Sequence, residues 1–256
     1  MIIAFVPCRL QSSRLPFKGI RDIYGIPAIE RCLINTMAIP GVDKVILATS
    51  TNEEDDALEK CTLAGKVEVV RGPENDVLER FIPSIEKYRP DHIMRVTGDS
   101  PLVSLELGEY IIKEHLSSNK DVTYTTSQVA YGIACEIYKT SAILKLKKIL
   151  PDTTHSEYLI YYFMNNPRYF ELNPIEAPAE FIRPWRLTLD EENDLKLLNM
   201  IYHSLKRKYA PVLFKELVSF FHDSPEMALV NINNAVKYKE DKALAIFLKE
   251  QTTIKK

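Results

Sequence analysis

Glycine is scarce in this chain, eight residues in 256, and no Gly-x-Gly-x-x-Gly or Gly-x-x-x-x-Gly-Lys-Ser/Thr segment occurs. That disfavours a dinucleotide fingerprint and a P-loop NTPase, so any phosphate-binding device must be made from side chains. No run of eighteen apolar residues exists, which excludes a membrane-spanning helix. The opening run Ile2 to Val6 is too short for a signal-peptide core and has no basic flank. Positive charge is not in surplus either: 33 Lys+Arg against 35 Asp+Glu give −2 at pH 7, no field to hold a nucleic-acid backbone. The four cysteines, Cys8, Cys32, Cys61 and Cys135, form no CxxC pair and have no histidine at zinc-ligand spacing. They read as reduced thiols, Cys32 and Cys61 as small core residues and Cys8 as a neighbour of polar residues. The expectation is a cytoplasmic protein with neither nucleic acid nor membrane as partner.

At 46% hydrophobic and 27% charged, the chain is that of an ordinary globular protein with a sizeable core. Its first half alternates short β-branched runs with helical patterns. Strands are expected at Ile2 to Val6, Lys44 to Ala48, Val67 to Val70, His92 to Val96 and Asp121 to Tyr124. Helices are expected at Pro27 to Ala38, Glu53 to Leu63, Val77 to Tyr88 and Leu105 to Leu116. Continuous apolar strands imply burial on both faces, hence an α/β fold with a mainly parallel sheet between helices. Beyond residue 125 the alternation loosens, with strands at Ala134 to Lys139, Tyr169 to Leu172 and Arg186 to Leu189 and a helix at Ser156 to Asn165. From Glu191 onward the pattern is helical. The expected organisation is one domain over residues 1–205, with a helical C-terminal extension, 206–256, packed on it.

In such a sheet, ligands belong at the carboxyl ends of the strands. The segment Pro7 to Gly19, directly after the first strand, carries Arg9, Arg14 and Lys18 together with Ser12 and Ser13. Guanidinium forks and hydroxyls in that place would wrap a polyphosphate; a solvated basic loop is the plainer alternative. A second constellation, Arg95-Val96-Thr97-Gly98-Asp99-Ser100-Pro101, releases an acid into a turn. Asp99 suits Mg²⁺, which takes one or two carboxylates plus phosphate oxygens, and equally suits an Asx cap. A third, Leu187-Thr188-Leu189-Asp190, ends another expected strand in an acid. Asp190 either shares the metal or caps the following helix.

These motifs carry a resemblance. Cys8-Arg9 with Ser12, Arg14-Leu15-Pro16 and Lys18, then Ala48 to Asn52, Asp76-Val77-Leu78, Arg95 to Leu102 and Leu187 to Asp190, resemble the SpsF-like cytidylyltransferases of spore-coat polysaccharide biosynthesis in order and spacing. More distant relatives are the CMP-Kdo and CMP-sialate synthetases, and the likeness covers about residues 2–205. It implies a three-layer, Rossmann-like nucleotide-diphospho-sugar transferase fold, CTP and Mg²⁺ as co-substrates, and pyrophosphate release. Carried over by position, Lys18, Arg14 and Arg9 would serve catalysis. Pro7, Arg9, Ser12, Ser13, Arg14, Lys18, Arg71 and Thr97 would bind the nucleotide, and Asp99 and Asp190 the metal. Arg71 reads equally as a surface arginine in a Gly-Pro turn. The departures are Cys8 for alanine, Phe17 for the glycine before the lysine, and Ser100 for a cysteine. In addition, Glu191 to Asp194 replace a Thr-Pro-Glu-Asp, and Glu157-Tyr158 a Glu-His pair.

The acceptor segment of this family implies Tyr131, Glu136, Glu157, Arg183 and Arg186 as acceptor contacts. A carboxylated acceptor would suit an arginine fork from Arg183 and Arg186, although either could instead pair with nearby acids. The expected reaction transfers CMP from CTP to a small acidic sugar, an ulosonic or nonulosonic acid, and the family often forms homodimers. Two other readings stand beside it: a GT-A-like glycosyltransferase, for which the Asp-x-Asp pattern is missing, and a non-catalytic nucleotide-binding protein.

Overall fold

The computed structural model describes residues 1–234 and 241–255. Its strands are β1 (Ile2–Pro7), β2 (Asp22–Ile23), β3 (Ile26–Pro27), β4 (Lys44–Ser50), β5 (Glu68–Gly72), β6 (His92–Arg95), β7 (Val122–Thr125), β8 (Glu136–Lys139) and β9 (Leu172–Ile175). Seven of them make one sheet in the order β5-β4-β1-β6-β8-β7-β9, while β2 and β3 form a small hairpin. β1, β4, β5 and β6 run parallel, as does β9 beside β7; β8 alone is antiparallel, to both β6 and β7. The mainly parallel α/β class read from the sequence is the one observed.

Alternation along the strands builds two cores. Ala4, Val6, Leu47 and Met94 face one side, under α1 (Ala28–Met37), α3 (Leu105–Ser118), α6 (Glu192–Leu205) and α7 (Phe214–Asp223). Ile3, Phe5, Ile46 and Ile93 face the other, under α2 (Val77–Tyr88), α4 (Thr140–Ile149) and α5 (Leu159–Met164). Each fully buried Leu, Ile or Phe contributes roughly 1.5–3 kcal/mol. Beyond residue 205, Phe214, Leu217 and Phe221 of α7 enter the first core, and the helix Lys242–Thr252 lies on α5. There Thr252 accepts a hydrogen bond from Asn165 at 2.7 Å through its hydroxyl and another from Asn166 at 2.7 Å through its carbonyl.

Three elements depart from expectation. Residues Glu53–Lys60 form 3₁₀ turns instead of an α-helix. The strand expected at Tyr169 to Leu172 lies at Leu172–Ile175, on the sheet edge, where Pro174 is tolerated. Arg186 to Leu189 is extended but joins no ladder, because Leu187 N–H is spent on the Tyr131 carbonyl (2.7 Å) and Leu189 N–H on the Asp99 carbonyl (2.8 Å). Helix α4 and the β2–β3 hairpin are additions.

Candidate active site

The strand order reverses between β1 and β6: from β1 the chain proceeds outward to β4 and β5, then returns to place β6 on the other side. That crevice is where open α/β sheets bind ligands. Two backbone devices shape it. Asp55, buried in the 3₁₀ turns, accepts hydrogen bonds from Leu10 N–H (2.7 Å) and from the amide and hydroxyl of Ser50, pinning the start of the cationic loop to the end of β4. On the other side Gly98 donates its N–H to the Pro7 carbonyl at 3.1 Å. A Cβ at Gly98 would lie 2.7 Å from that oxygen, so only glycine lets the β6 turn approach β1 so closely.

The result is a focus of charge. The Lys18 ammonium stands 2.7 Å from Asp99 Oδ2 and 2.9 Å from Asp190 Oδ1. Arg14 reaches the same Asp190 oxygen at 2.9 Å, and Arg186 holds the other at 3.1 Å. The two acids, 91 positions apart in the chain, meet because Leu189 N–H and the Thr188 hydroxyl both bond the Asp99 carbonyl. Asp190 is not the cap of α6: Glu191 and Asp194 form a capping box there, leaving the Asp190 carboxylate outside the helix. Asp194 is fully buried and accepts from Arg186, from the amides of Asp190 and Glu191 and from Asn231. Burial alone would raise its carboxyl; the Arg186 contact outweighs this and holds it below the ordinary range. Likewise, burial opposes ionisation of Asp99, but Lys18, the Thr97 hydroxyl and Arg95 keep its carboxyl low. Burial works against the Lys18 charge too, yet the two aspartates raise its pKa, so the Lys18–Asp99 pair stays ionised at neutral pH.

A second group adjoins the first. Arg9 pairs with Glu74 at 3.2 Å and with Glu157 at 3.1 Å. The Glu157 carbonyl accepts from Arg95 at 2.6 Å, and Arg95 reaches Glu136 at 3.4 Å. Asp76 explains the position of Glu157: it caps α2 by accepting from Glu79 N–H and also accepts from the hydroxyls of Thr153 and Ser156, fixing the 3₁₀ turn Ser156–Tyr158 beside the crevice.

The remaining candidates lie as follows. The Thr97 and Ser100 hydroxyls share a 2.8 Å hydrogen bond within the β6 turn. Ser12 stabilises its own loop through Leu15 N–H, and Ser13 is exposed beside it. The Tyr131 ring lies against Arg186. Three arginines are not brought to the crevice as ligand forks. Arg71 pairs with Asp56 and Glu59 and bonds the carbonyls of Ser50 and Asn52, because the 3₁₀ turns fold over the end of β5. Arg183 curls onto the carbonyls of Ala179 and Ile182 and over Trp185. Arg186 is buried between Asp190 and Asp194, so it supports an acid instead of reading an acceptor. Cys8 is no nucleophile: it is buried behind Gly19, and burial pushes its thiol up to about 12. Asp55, Glu74 and Asp194 were not foreseen as parts of the site; only the first-turn position of Asp194 in α6 hinted at its role.

Among the described residues no group of three or more His, Cys, Asp or Glu could hold a metal by itself. Asp99 and Asp190, both contacting one ammonium, do fit Mg²⁺ that brings phosphate oxygens to complete its shell. A cation-lined loop facing two acids from distant turns at the switch point of this three-layer fold suits the nucleotidyltransferase class.

Within that class the chain belongs to the cytidylyltransferase family, whose model, described as Cytidylyltransferase, matches residues 3–252. It is 29% identical over 234 residues to the spore coat polysaccharide biosynthesis protein SpsF of Bacillus subtilis, covering 89% of this chain and 96% of that protein. An uncharacterized protein of Methanocaldococcus jannaschii, MJ1063, is 31% identical over 242 residues, with coverage of 93% and 96%. Among solved structures, a cytidylyltransferase from Leptospira borgpetersenii superposes with TM-score 0.77 at 22% identity, covering 89% of this chain and 95% of that one. A CMP:2-keto-3-deoxy-manno-octonic acid synthetase complexed with CTP gives 0.60 at 15% identity, with coverage of 80% and 99%. A Mycobacterium tuberculosis protein, Rv0371c, solved with manganese, gives 0.55 at 14%, with coverage of 78% and 98%.

Proposed function

We propose that this protein transfers CMP from CTP to a small acidic sugar, releasing pyrophosphate, in the synthesis of a surface polysaccharide or glycoconjugate. One observation carries the reading: Lys18 of the first turn bridges Asp99 and Asp190 from two distant turns at the switch point. A device that already gathers cations and paired acids around one point is suited to a metal-bound triphosphate. The name of SpsF supports a role in polysaccharide biosynthesis, the family model supports CTP, and the name of the CTP-complexed keto sugar acid synthetase supports a carboxylated acceptor.

In this reading Arg9, Arg14 and Lys18 exchange their carboxylate partners for phosphate oxygens, while the Pro7 to Ser13 backbone and the Thr97 hydroxyl line the nucleotide. Mg²⁺ would be held by Asp99 and Asp190 and would supply charge neutralisation on the phosphates. The acceptor hydroxyl oxygen attacks the α-phosphorus and its proton passes to water. The bond from that phosphorus to the bridging oxygen breaks, and the electron pair leaves with pyrophosphate. The cations of the first turn meet the charge that builds on the departing group, so no covalent enzyme intermediate is needed. Tyr131, Glu136 and Glu157 border the acceptor side. We place the reaction in the cytoplasm, with the enzyme as a homodimer, on the family resemblance and the four buried thiols.

The deciding experiment is a nucleotide-by-acceptor screen with Mg²⁺, read by pyrophosphate release and mass spectrometry. A CMP adduct formed only with CTP and a sugar acid is the expected result. Pyrophosphate with no acid in the panel, or with another nucleotide in preference, would overturn the assignment.

A further inference from the structure

The two arginines that the sequence offers for an acceptor carboxylate are engaged elsewhere, Arg183 by its own loop and Arg186 by two buried aspartates. We propose that Arg95 is the residue that recognises the acceptor's negative charge. It closes β6, in register with Phe5 of β1 on one side and Glu136 of β8 on the other, so it forms the floor of the crevice where the parallel half of the sheet meets β8. Alternation turns its side chain to the same face as Ile93, Phe5 and Tyr138.

The hydrogen bonding of Arg95 is incomplete in a way that points to a ligand. The residue is only 8% exposed, and its Nε has no partner among the described residues. Its one ionic contact among the described residues, Nη1 to Glu136 Oε2, is long at 3.4 Å, and that oxygen already accepts a 2.6 Å bond from the Tyr138 hydroxyl. A buried guanidinium ordinarily spends its donors on a close carboxylate or on carbonyls, since an unmade bond to a buried charged group is costly. Here only Nη2 is well used, on the Glu157 carbonyl at 2.6 Å.

That carbonyl belongs to the segment whose carboxylate, more than half exposed, holds Arg9. When Arg9 turns to the triphosphate, the Glu157 side chain is released and the cover over Arg95 loosens at the moment a nucleotide is in place. An acceptor carboxylate entering there meets a planar fork with unused donors, beside the Asp99 end of the crevice. Arg95 is near enough for its charge to help hold the Asp99 carboxyl low. Glu136 then has a second part: it keeps the guanidinium oriented through a weak contact that a ligand can displace.

This assignment rests on the acidic-acceptor reading, and the test separates the two. Arg95→Gln and Arg95→Lys are compared with wild type in the pyrophosphate assay. The substrates are CTP and a panel of 2-keto-3-deoxy sugar acids, each acid also supplied as its uncharged methyl ester. The expected result for Arg95→Gln is a KM for the acid raised roughly 10- to 100-fold, the loss typical of a charged hydrogen bond. KM for CTP and turnover of the ester should change by a much smaller factor. Arg95→Lys, which keeps the charge but loses the fork, should raise the same KM by a smaller factor, and it decides the matter if the glutamine variant does not fold. An unchanged KM for the acid, or equal losses for acid, ester and CTP, would show a merely structural arginine and overturn the assignment. Failure of the wild type to use any acid would instead remove the functional reading itself, and this inference with it.

Discussion

Asp190 meets more cations than any other acid in the site: Lys18 and Arg14 share one of its oxygens and Arg186 holds the other. Asp99 has Lys18 as its single ion-pair partner among the described residues and is partly exposed. The two acids therefore differ in what each loses on substitution. Asp99→Asn removes a charge that the fold does not need. It is expected to lower kcat by about 10²- to 10³-fold, the scale of one lost charge contact in a transition state. Its melting temperature should stay within a few degrees of wild type, and parallel pyrophosphate and thermal-melt measurements check both. Lys18→Met addresses the free enzyme. With the ammonium between the acids, a divalent ion arriving alone must displace a paired cation, whereas one arriving with a triphosphate brings the group that takes the lysine away. Paramagnetic titration with Mn²⁺ is expected to show tight binding to wild type only with CTP present. The methionine variant should bind Mn²⁺ without nucleotide, at the cost of turnover. Phe17 shows how one residue bends to the needs of the loop: it holds a left-handed φ of 56° next to Lys18, where the resembling family has glycine.

At the scale of elements, the site depends on how closely β6 and β1 end together. Gly98→Ala would put a methyl group 2.7 Å from the Pro7 carbonyl and 2.8 Å from Cys8 Cβ, and neither can move without parting the strand ends. A destabilisation of ~1–3 kcal/mol is expected from such overpacking, with a larger proportional loss of activity. Thermal melts and assays well below the midpoint separate the two effects. At the opposite end of β6, His92 and His115 share a 3.0 Å contact, and the other nitrogen of His115 meets the Thr123 hydroxyl at 2.9 Å. Burial pushes His115 down to about 4, and burial also lowers His92. A histidine depressed in the folded state favours the fold above its unfolded value near 6.5, and that contribution is lost as the pH falls toward 4. For His115 the loss is about 3 kcal/mol over that window, so denaturant midpoints should drop between pH 6.5 and 4. His115→Gln should flatten that slope.

For the molecule as a whole, legibility followed the range of the interactions. Apart from the 3₁₀ turns at Glu53–Lys60, the βα units up to residue 125 were readable because buried strands write themselves into continuous apolar runs. Helix α2 agreed at both ends, with Asp76 capping it and Arg89 turning left-handed just before Pro90. Helix α4 was hidden because Leu144-Lys145-Leu146-Lys147 alternates like a strand, although the buried positions Ala142, Ile143 and Leu146 follow a helical period. The cationic loop and Asp99 do follow strands β1 and β6, as their sequence positions suggest, whereas Asp190 follows a segment that joins no ladder. The partners that decide what each arginine does were not: Glu74 lies 65 positions from Arg9, and Glu157 lies 62 from Arg95. Such pairings exist only once the sheet is assembled.

Arg9, Arg14 and Lys18 are each already faced by carboxylates of the chain, drawn from Glu74, Glu157, Asp99, Asp190 and Glu191. Outward from the mouth, these charges largely cancel, and the entire chain carries only −2. A polyanion diffusing toward the protein therefore feels little pull until it is close enough to trade places with those acids. Stopped-flow association of CTP should accordingly be slow for an electrostatic capture, near the unsteered 10⁵–10⁶ M⁻¹s⁻¹, and nearly flat with ionic strength. Selectivity would then come from the exchange of partners inside the crevice and not from long-range guidance.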